Sequence, residues 1–190
     1  MSSTNAPFGL RPAFHPSGLD RAQALAGGIA SGYGSAILKG QPVKYVTGGT
    51  IQPAAAGDAF AGAFAGVEWT DTTGRRHVSN NWPASTAYQT GSCIAYFYND
   101  PLIVYEIQAD GSVAQSAIGD EADLSNTTAG STVTGLSQAT LSSTLAGAGN
   151  SAQMRIVDLA PYPDNAWGDS YTIVRVTINE AQFQASVNAI

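Results

Sequence analysis

The 190-residue sequence predicts an all-β protein, with a β-barrel or β-sandwich body and an extended N-terminal arm. Three observations support this prediction. Short runs rich in aromatic and β-branched residues recur at intervals of roughly 8–12 residues, as in barrels and sandwiches. Helical periodicity is weak along the chain. Proline and glycine punctuate residues 1–34, where a helix or a central strand would lose backbone hydrogen bonds.

Residues 1–34 are predicted to form the arm. Three prolines interrupt regular structure there, and only residues 22–26 could form a single helical turn. A disordered terminus is the alternative. The segment nevertheless carries apolar residues that a solvated tail does not need, namely Phe8, Leu10, Phe14 and Leu19. We therefore expect an arm that docks on another surface.

Residues 35–190 are predicted to form a single β-rich body. The Gly48-Gly49 pair between two β-like runs is a hairpin signal. In the run 59–69, small residues alternate with large ones, which favours a strand that another element approaches closely. The predicted strands cover residues 36–39, 42–47, 50–54, 59–69, 93–98, 102–108, 153–159 and 171–179.

The remaining parts of the body have weaker signals. Residues 70–90 are mostly turn formers and are interpreted as a polar excursion. Residues 112–150 form a Ser/Thr/Ala/Gly-rich loop region. Within it, short strands could form around Val133, Leu136, Leu141 and Leu145. Residues 180–190 are predicted to be a short helix or a second docking segment.

Composition excludes several classes of protein. The net charge is −6 and the basic residues are scattered, so no patch is visible that could neutralise phosphates, and nucleic acid is not an expected partner. Charged residues make up only 12%, which suits a surface that lies against another protein. The single cysteine forbids an internal disulfide. The sequence shows no signal peptide and no apolar run of membrane-spanning length, so we expect a soluble chain made in the cytoplasm.

No catalytic, cofactor-binding or metal-ligating residues are predicted. A Ser-His-Asp triad needs no sequence adjacency, but no nucleophile-elbow motif accompanies His15 or His77. The acidic residues at 120, 121 and 123 do not match the spacing of a calcium loop. Three tryptophans could form a sugar platform, and a carbohydrate-binding module is one alternative function. Aromatic residues of β-proteins are more often core or interface residues.

One motif is more specific. The run Asn5-Ala6-Pro7-Phe8-Gly9-Leu10-Arg11-Pro12 resembles the N-x-P-F-G-L-R-P run of a family of tailed-bacteriophage virion proteins, the capsid decoration or cement proteins. The likeness extends over nearly the whole chain but departs at residues 17–34, which are richer in alanine and glycine. Further similar segments are 40–44 (GQPVK), 56–59 (AGDA) followed by Gly62 and 66–67 (GV), 100–108 (DPLIVYEIQ), 162–165 (YPDN) and 174–179 (VRVTIN).

The resemblance implies a structural virion protein without catalysis or cofactor. It implies a homotrimer on the outer capsid surface that stabilises contacts between subunits of the major capsid protein. The predicted contacts with capsid or neighbour are Phe8, Leu10, Arg11 and Phe14. Another virion component, such as a head fibre or tail tube, is the second alternative.

Overall fold

The structure, a computed structural model, describes residues 2–18 and 22–185. Within these ranges the chain forms β-strands and one 3-10 turn at Gln115–Ala117. The predicted all-β class is therefore confirmed. In chain order the strands are β1 (Arg11–Phe14), β2 (Gln23–Ala26), β3 (Pro42–Tyr45), β4 (Ile51–Pro53), β5 (Gly62–Thr70), β6 (Arg76–Ser79), β7 (Ile94–Tyr98), β8 (Val104–Gln108), β9 (Glu121–Ser125), β10 (Gly130–Ser131), β11 (Leu136–Ser137), β12 (Thr140–Leu145), β13 (Met154–Leu159) and β14 (Ile173–Ile178).

The first six-stranded sheet, sheet I, has the strand order β1-β8-β14-β13-β9-β12, and all neighbours are antiparallel. Ala109, which directly follows β8, bridges Leu141 of β12. The sheet therefore curls until its last strand approaches the end of β8. Strand β1 remains outside β8 as an edge strand, so the described part of the sheet is open rather than a closed barrel.

The second six-stranded sheet, sheet II, has the order β2-β7-β5-β3-β4, and β6 also pairs with β5. Its longest strand, β5, confirms the prediction that small residues admit a close neighbour. A Cβ on Gly62 would overlap the carbonyl oxygen of Tyr98, and one on Gly66 would lie 2.9 Å from the carbonyl oxygen of Ser79. A separate ribbon pairs β10 with β11.

Each sheet covers its own hydrophobic core. Tyr105 and Leu124 are among the buried residues of the sheet I core. Phe97 and Trp82 belong to the sheet II core. Trp82 packs edge-on against Trp69, with ring centroids 5.5 Å apart. Burial of aromatic and branched side chains is the main stabilising contribution on both sides.

Four segments differ from the sequence-based expectation. Residues 36–39 form two isolated bridges, at Ile37 and Lys39, rather than a strand. Residues 23–26 form strand β2 rather than a helical turn, because pairing with β7 supplies hydrogen bonds that an isolated turn lacks. The polar excursion contains strand β6. The region 112–150 contains β11 and β12, where short strands were expected around Leu136, Leu141 and Leu145, but Val133 lies in no strand, and β9 and β10 were not predicted. Its serines and threonines hide the pattern, although Ala122 and Leu124 still alternate toward the core.

The segment after β14 ties the two sheets together. Ala181 bridges Phe60, and the Gln182 side-chain amide bonds both the N–H and the C=O of Tyr45 in sheet II. The described residues 180–185 contain turns and no helix. The rest of the segment predicted as helix or docking element, residues 186–190, lies outside the described residues, as does Leu19.

Candidate interaction surface

Residues 2–14, here called the strap, begin with a turn, run along the edge of sheet I and end in strand β1. Ser2 is buried, its hydroxyl donates to the Asp164 carbonyl at 2.7 Å, and its own carbonyl accepts from Tyr171 N–H at 2.8 Å. The side chain of Gln108 in β8 accepts from Ala6 N–H at 2.9 Å and donates to the Thr4 carbonyl at 3.0 Å. Specific polar contacts therefore fix the strap on its own chain.

Tight backbone packing anchors the middle of the strap. Leu10 N–H donates to the Gly40 carbonyl at 2.8 Å. Gly9 has φ +73°, and a Cβ there would lie 2.6 Å from the same carbonyl oxygen. Only glycine combines that φ with so close an approach at low cost. As a result, the Leu10 side chain is only 1% exposed and belongs to the sheet I core.

A charged network follows in β1. The Arg11 guanidinium lies 2.7 Å from the Glu106 carboxylate, whose side chain is 9% exposed. The Tyr162 hydroxyl donates to the same carboxylate and also contacts Arg11, and Arg175 Nε lies 3.6 Å from Glu106 Oε1. Burial raises the pKa of Glu106, but hydrogen bonds from Tyr162 and Arg11 outweigh burial and hold the pKa below its ordinary value. The carboxylate thus stays ionised and binds the strap to the sheet.

Two aromatic rings of the strap stack on these cations. The Arg11 guanidinium lies 4.5 Å from the centroid of the Phe8 ring, and that of Arg175 lies 5.4 Å from the Phe14 ring. Cation–π contacts of this kind contribute about 0.5–1 kcal/mol at exposed sites. Phe14 remains 42% exposed, so the edge of sheet I presents an apolar ring to its surroundings.

A groove of about 430 Å³ opens beside the strap. Its walls are the strap, the Lys39-Gly40 turn and the β10–β11 ribbon. Most of the lining is apolar, and Arg11 and Lys39 supply the only charged side chains. The lining residues are Phe8, Leu10, Arg11, Pro12, Lys39, Gly40, Phe64, Tyr98 and Leu136; we call this the β1 groove.

The four predicted contact residues therefore have different surroundings. Phe8 is partly buried at the groove, whereas Arg11 and Phe14 are exposed. The prediction that Leu10 contacts the capsid or a neighbour is corrected. Its side chain fills the core of its own chain and is not available to a neighbour in this conformation. Sequence reasoning missed Glu106, although a charged residue within the apolar run of β8 is a signal for a buried ion pair.

His15 is mostly buried at the end of β1. Its Nδ1 accepts from Ser17 N–H at 3.0 Å and lies 2.6 Å from Ser17 Oγ, and its Nε2 lies 3.1 Å from Asp100 Oδ2. The residue types are those of a hydrolase triad. However, the lone pair of Nδ1 already accepts the backbone N–H two residues later, which makes the ring a turn-stabilising group.

His77 lies at the edge of sheet II and stacks on Trp69, with ring centroids 5.0 Å apart. Its Nε2 is 2.9 Å from Asp71 Oδ2. The other Asp71 oxygen accepts from the Thr73 hydroxyl and from the backbone N–H groups of Thr73 and Arg75. Hydrogen bonds from Thr73, His77 and Arg75 hold the pKa of Asp71 far below its ordinary value. This arrangement closes a turn.

The other candidate groups are also accounted for by structural contacts. Glu121 is fully buried and paired with Arg155, and Asp123 accepts from Gln153 N–H. Across the described residues, no three His, Cys, Asp or Glu side chains converge as a metal site would require. Trp69 and Trp82 are core residues and offer no open ring face to a sugar.

The described residues contain no helix long and apolar enough to cross a membrane. Comparison with known proteins adds no relative: no protein-family model, curated protein or solved structure matches the chain.

Proposed function

We propose that this protein is a structural component of a tailed-phage particle, which binds the outside of the capsid and stabilises contacts between major capsid protein subunits. It acts by binding, without catalysis or cofactor. The observation that carries the proposal is the strap itself. The run 5–12, which bears the resemblance to decoration proteins, is a built element that leads into β1, and β1 presents Arg11 and Phe14 at the edge of sheet I.

Exposed apolar residues around β1 support a role in protein binding. Phe14 pairs in register with Val104, and Leu102, two residues before Val104, is also exposed. An apolar side chain at a sheet edge costs solubility unless a partner covers it. Pro12 and the bulge between Pro12 and Phe14 also hinder the addition of a further strand at this edge. Side-chain contacts rather than sheet extension therefore suit this edge.

The proposed assembly is a homotrimer. Low surface charge supports close contact between copies, because like charges would otherwise oppose one another across the interface. A trimer that contacts several capsid subunits at once gains by effective concentration, so each single contact can be weak.

Binding to capsids tests the function directly. Capsids of the encoding phage that lack this protein are incubated with purified wild-type chain and separated by sedimentation. We expect saturable binding, and at least a tenfold weaker binding for Phe14→Ser. Val78→Ser, which removes a still more exposed apolar residue from β6 in sheet II (75% against 42% for Phe14), is the control and should bind as wild type.

Failure of the wild-type chain to bind capsids would refute the decoration function. Electron microscopy of whole particles then distinguishes the other virion locations, since density in the tail tube or a head fibre would replace the capsid assignment.

A further inference from the structure

The β1 groove has the chemistry of a peptide-binding site. Its volume of about 430 Å³ lies within the roughly 300–1,000 Å³ typical of ligand pockets. Among its lining residues, Phe8, Tyr98 and Leu136 are apolar and keep part of their surface exposed. An apolar side chain of a bound peptide would be removed from water in this groove. Its burial would contribute about 25 cal/mol of binding free energy per Å² of buried apolar surface.

The charge at the rim is positive. Arg11 and Lys39 line the groove, and no carboxylate does. Arg11 is already paired with Glu106, whereas Lys39 is exposed and has no ion pair with any carboxylate in the described part of the chain. The Lys39 ammonium is therefore open to a partner from outside the described part of the chain. It favours an occupant that carries a carboxylate next to its apolar group.

The groove is held in shape by main-chain hydrogen bonds. Lys39 N–H donates to the Gly135 carbonyl at 2.9 Å, and the Lys39 carbonyl accepts from Ser137 N–H at 2.9 Å. Gly40 N–H donates to the Phe64 carbonyl at 2.7 Å. The turn that carries the ammonium is therefore fixed between sheet II and the β10–β11 ribbon, and little ordering entropy remains to be lost on binding.

Apolar surface continues outside the groove. Val133, at the tip of the β10–β11 ribbon, is 94% exposed, and Leu136 is exposed on the side that borders the groove. A small amphiphile held in the groove would leave these residues uncovered. An extended polypeptide lying across the groove and the ribbon would cover them, which favours a peptide segment over a small molecule.

We infer that the β1 groove binds an extended segment of another protein in which a large apolar side chain is followed within two residues by Asp or Glu. The inference deepens the proposed function, on which it rests for its assumption that the segment belongs to the capsid. Lys39 pairs with the carboxylate, and the apolar side chain packs among Phe8, Tyr98 and Leu136.

A random dodecamer peptide library, displayed on an unrelated carrier and selected on immobilised full-length protein, tests the inference. We expect the selected peptides to share an apolar residue with an adjacent acid. The affinity of synthetic versions should fall at least fivefold for Lys39→Ala and for Leu136→Ser. The control Arg75→Ala, which removes an exposed cation from a turn of sheet II, should change nothing.

Selection of no common motif, of a motif without an acid, or of peptides insensitive to both groove variants would overturn the inference. Binding of fatty-acid micelles that competes with the peptides and exceeds them in affinity would also overturn it. The capsid assay separates the two proposals. If Lys39→Ala binds capsids as well as wild type, the inference about the groove is refuted and the capsid function stands. If peptides with the expected motif are selected but the protein does not bind capsids, the capsid function alone is refuted.

Discussion

Arg11 and Glu106 form an ion pair between the strap and β8, with 2.7 Å between Nη2 and Oε2, across 95 residues of sequence. Arg11 and Glu106 also lie directly opposite each other in the antiparallel pairing of β1 with β8. Main chain and side chain therefore specify the same alignment. Since a shift of one residue would turn Arg11 to the other face of the sheet, the ion pair also fixes the register of the strap.

Replacing Glu106 by Gln should loosen the strap. At pH 7 we expect a loss of about 1–2 kcal/mol in the free energy of unfolding, because Arg11 and Tyr162 lose a charged acceptor and Arg175 loses a nearby opposite charge. The expected loss of stability is small because about half of the Arg11 side chain is exposed to solvent, which weakens the ion pair. Urea denaturation followed by circular dichroism measures the loss.

The same variant should show a pH dependence. The pKa of Glu106 is lowered on folding, so its contribution is fully present above the ordinary glutamate value of about 4.3 and disappears as pH falls through the lower folded value. Wild type and Glu106→Gln should therefore converge in stability once the pH falls below the lowered pKa of Glu106. Asp158→Asn, at an exposed position of β13, is the control and should follow wild type. A constant difference at all pH values would contradict this account.

Gln153 is predicted to be a major polar contributor to the core. Its buried amide accepts from Leu124 N–H at 2.9 Å and donates to the carbonyls of Ala55 and Asp58. Gln153→Ala leaves these backbone groups without partners and should cost about 3 kcal/mol. Thermal unfolding measures the effect against Gln89→Ala, at an exposed position, which should stay within about 0.5 kcal/mol of wild type.

Gly62 should tolerate no side chain. Its φ is +154°, and a Cβ would overlap the carbonyl oxygen of Tyr98 in the neighbouring strand. Gly62→Ala should therefore cost about 4 kcal/mol or more, as expected for backbone strain and a displaced strand together. Gly34→Ala is the control, since a Cβ at Gly34 meets nothing within 4 Å. Equal melting temperatures of the two variants would show that the β5–β7 contact is not required.

We expect the Asp71 carboxylate to stabilise the turn that contains Thr73 and Arg75 and to affect the rest of the structure little. Asp71→Ala removes the acceptor for the amides of Thr73 and Arg75, which should then exchange with solvent faster. Hydrogen exchange detected by NMR checks this, with Thr72→Ala as the control. Slower or unchanged exchange at both amides would show that the carboxylate is not what closes the turn.

Sequence reasoning predicted the strands where apolar and β-branched residues are dense. The runs at 93–98 and 102–108 became β7 and β8, and the glycine-punctuated run at 59–69 became β5 with the close approach expected. It failed where small polar residues dilute the pattern. Strand β9 was not predicted, because two inward apolar residues are enough once neighbouring strands supply the backbone hydrogen bonds, whereas β12 forms where short strands were expected around Leu141 and Leu145.

The sequence by itself determined the β class, the low charge and the extended character of the first residues, because these depend on local conformational preference and composition. Tertiary structure alone decided where the first residues lie. Leu10 is buried in the core, Arg11 pairs with Glu106, and Lys39 lies at the rim of an apolar groove. These pairings join positions far apart in the chain, and no local pattern encodes which distant surface a segment will cover.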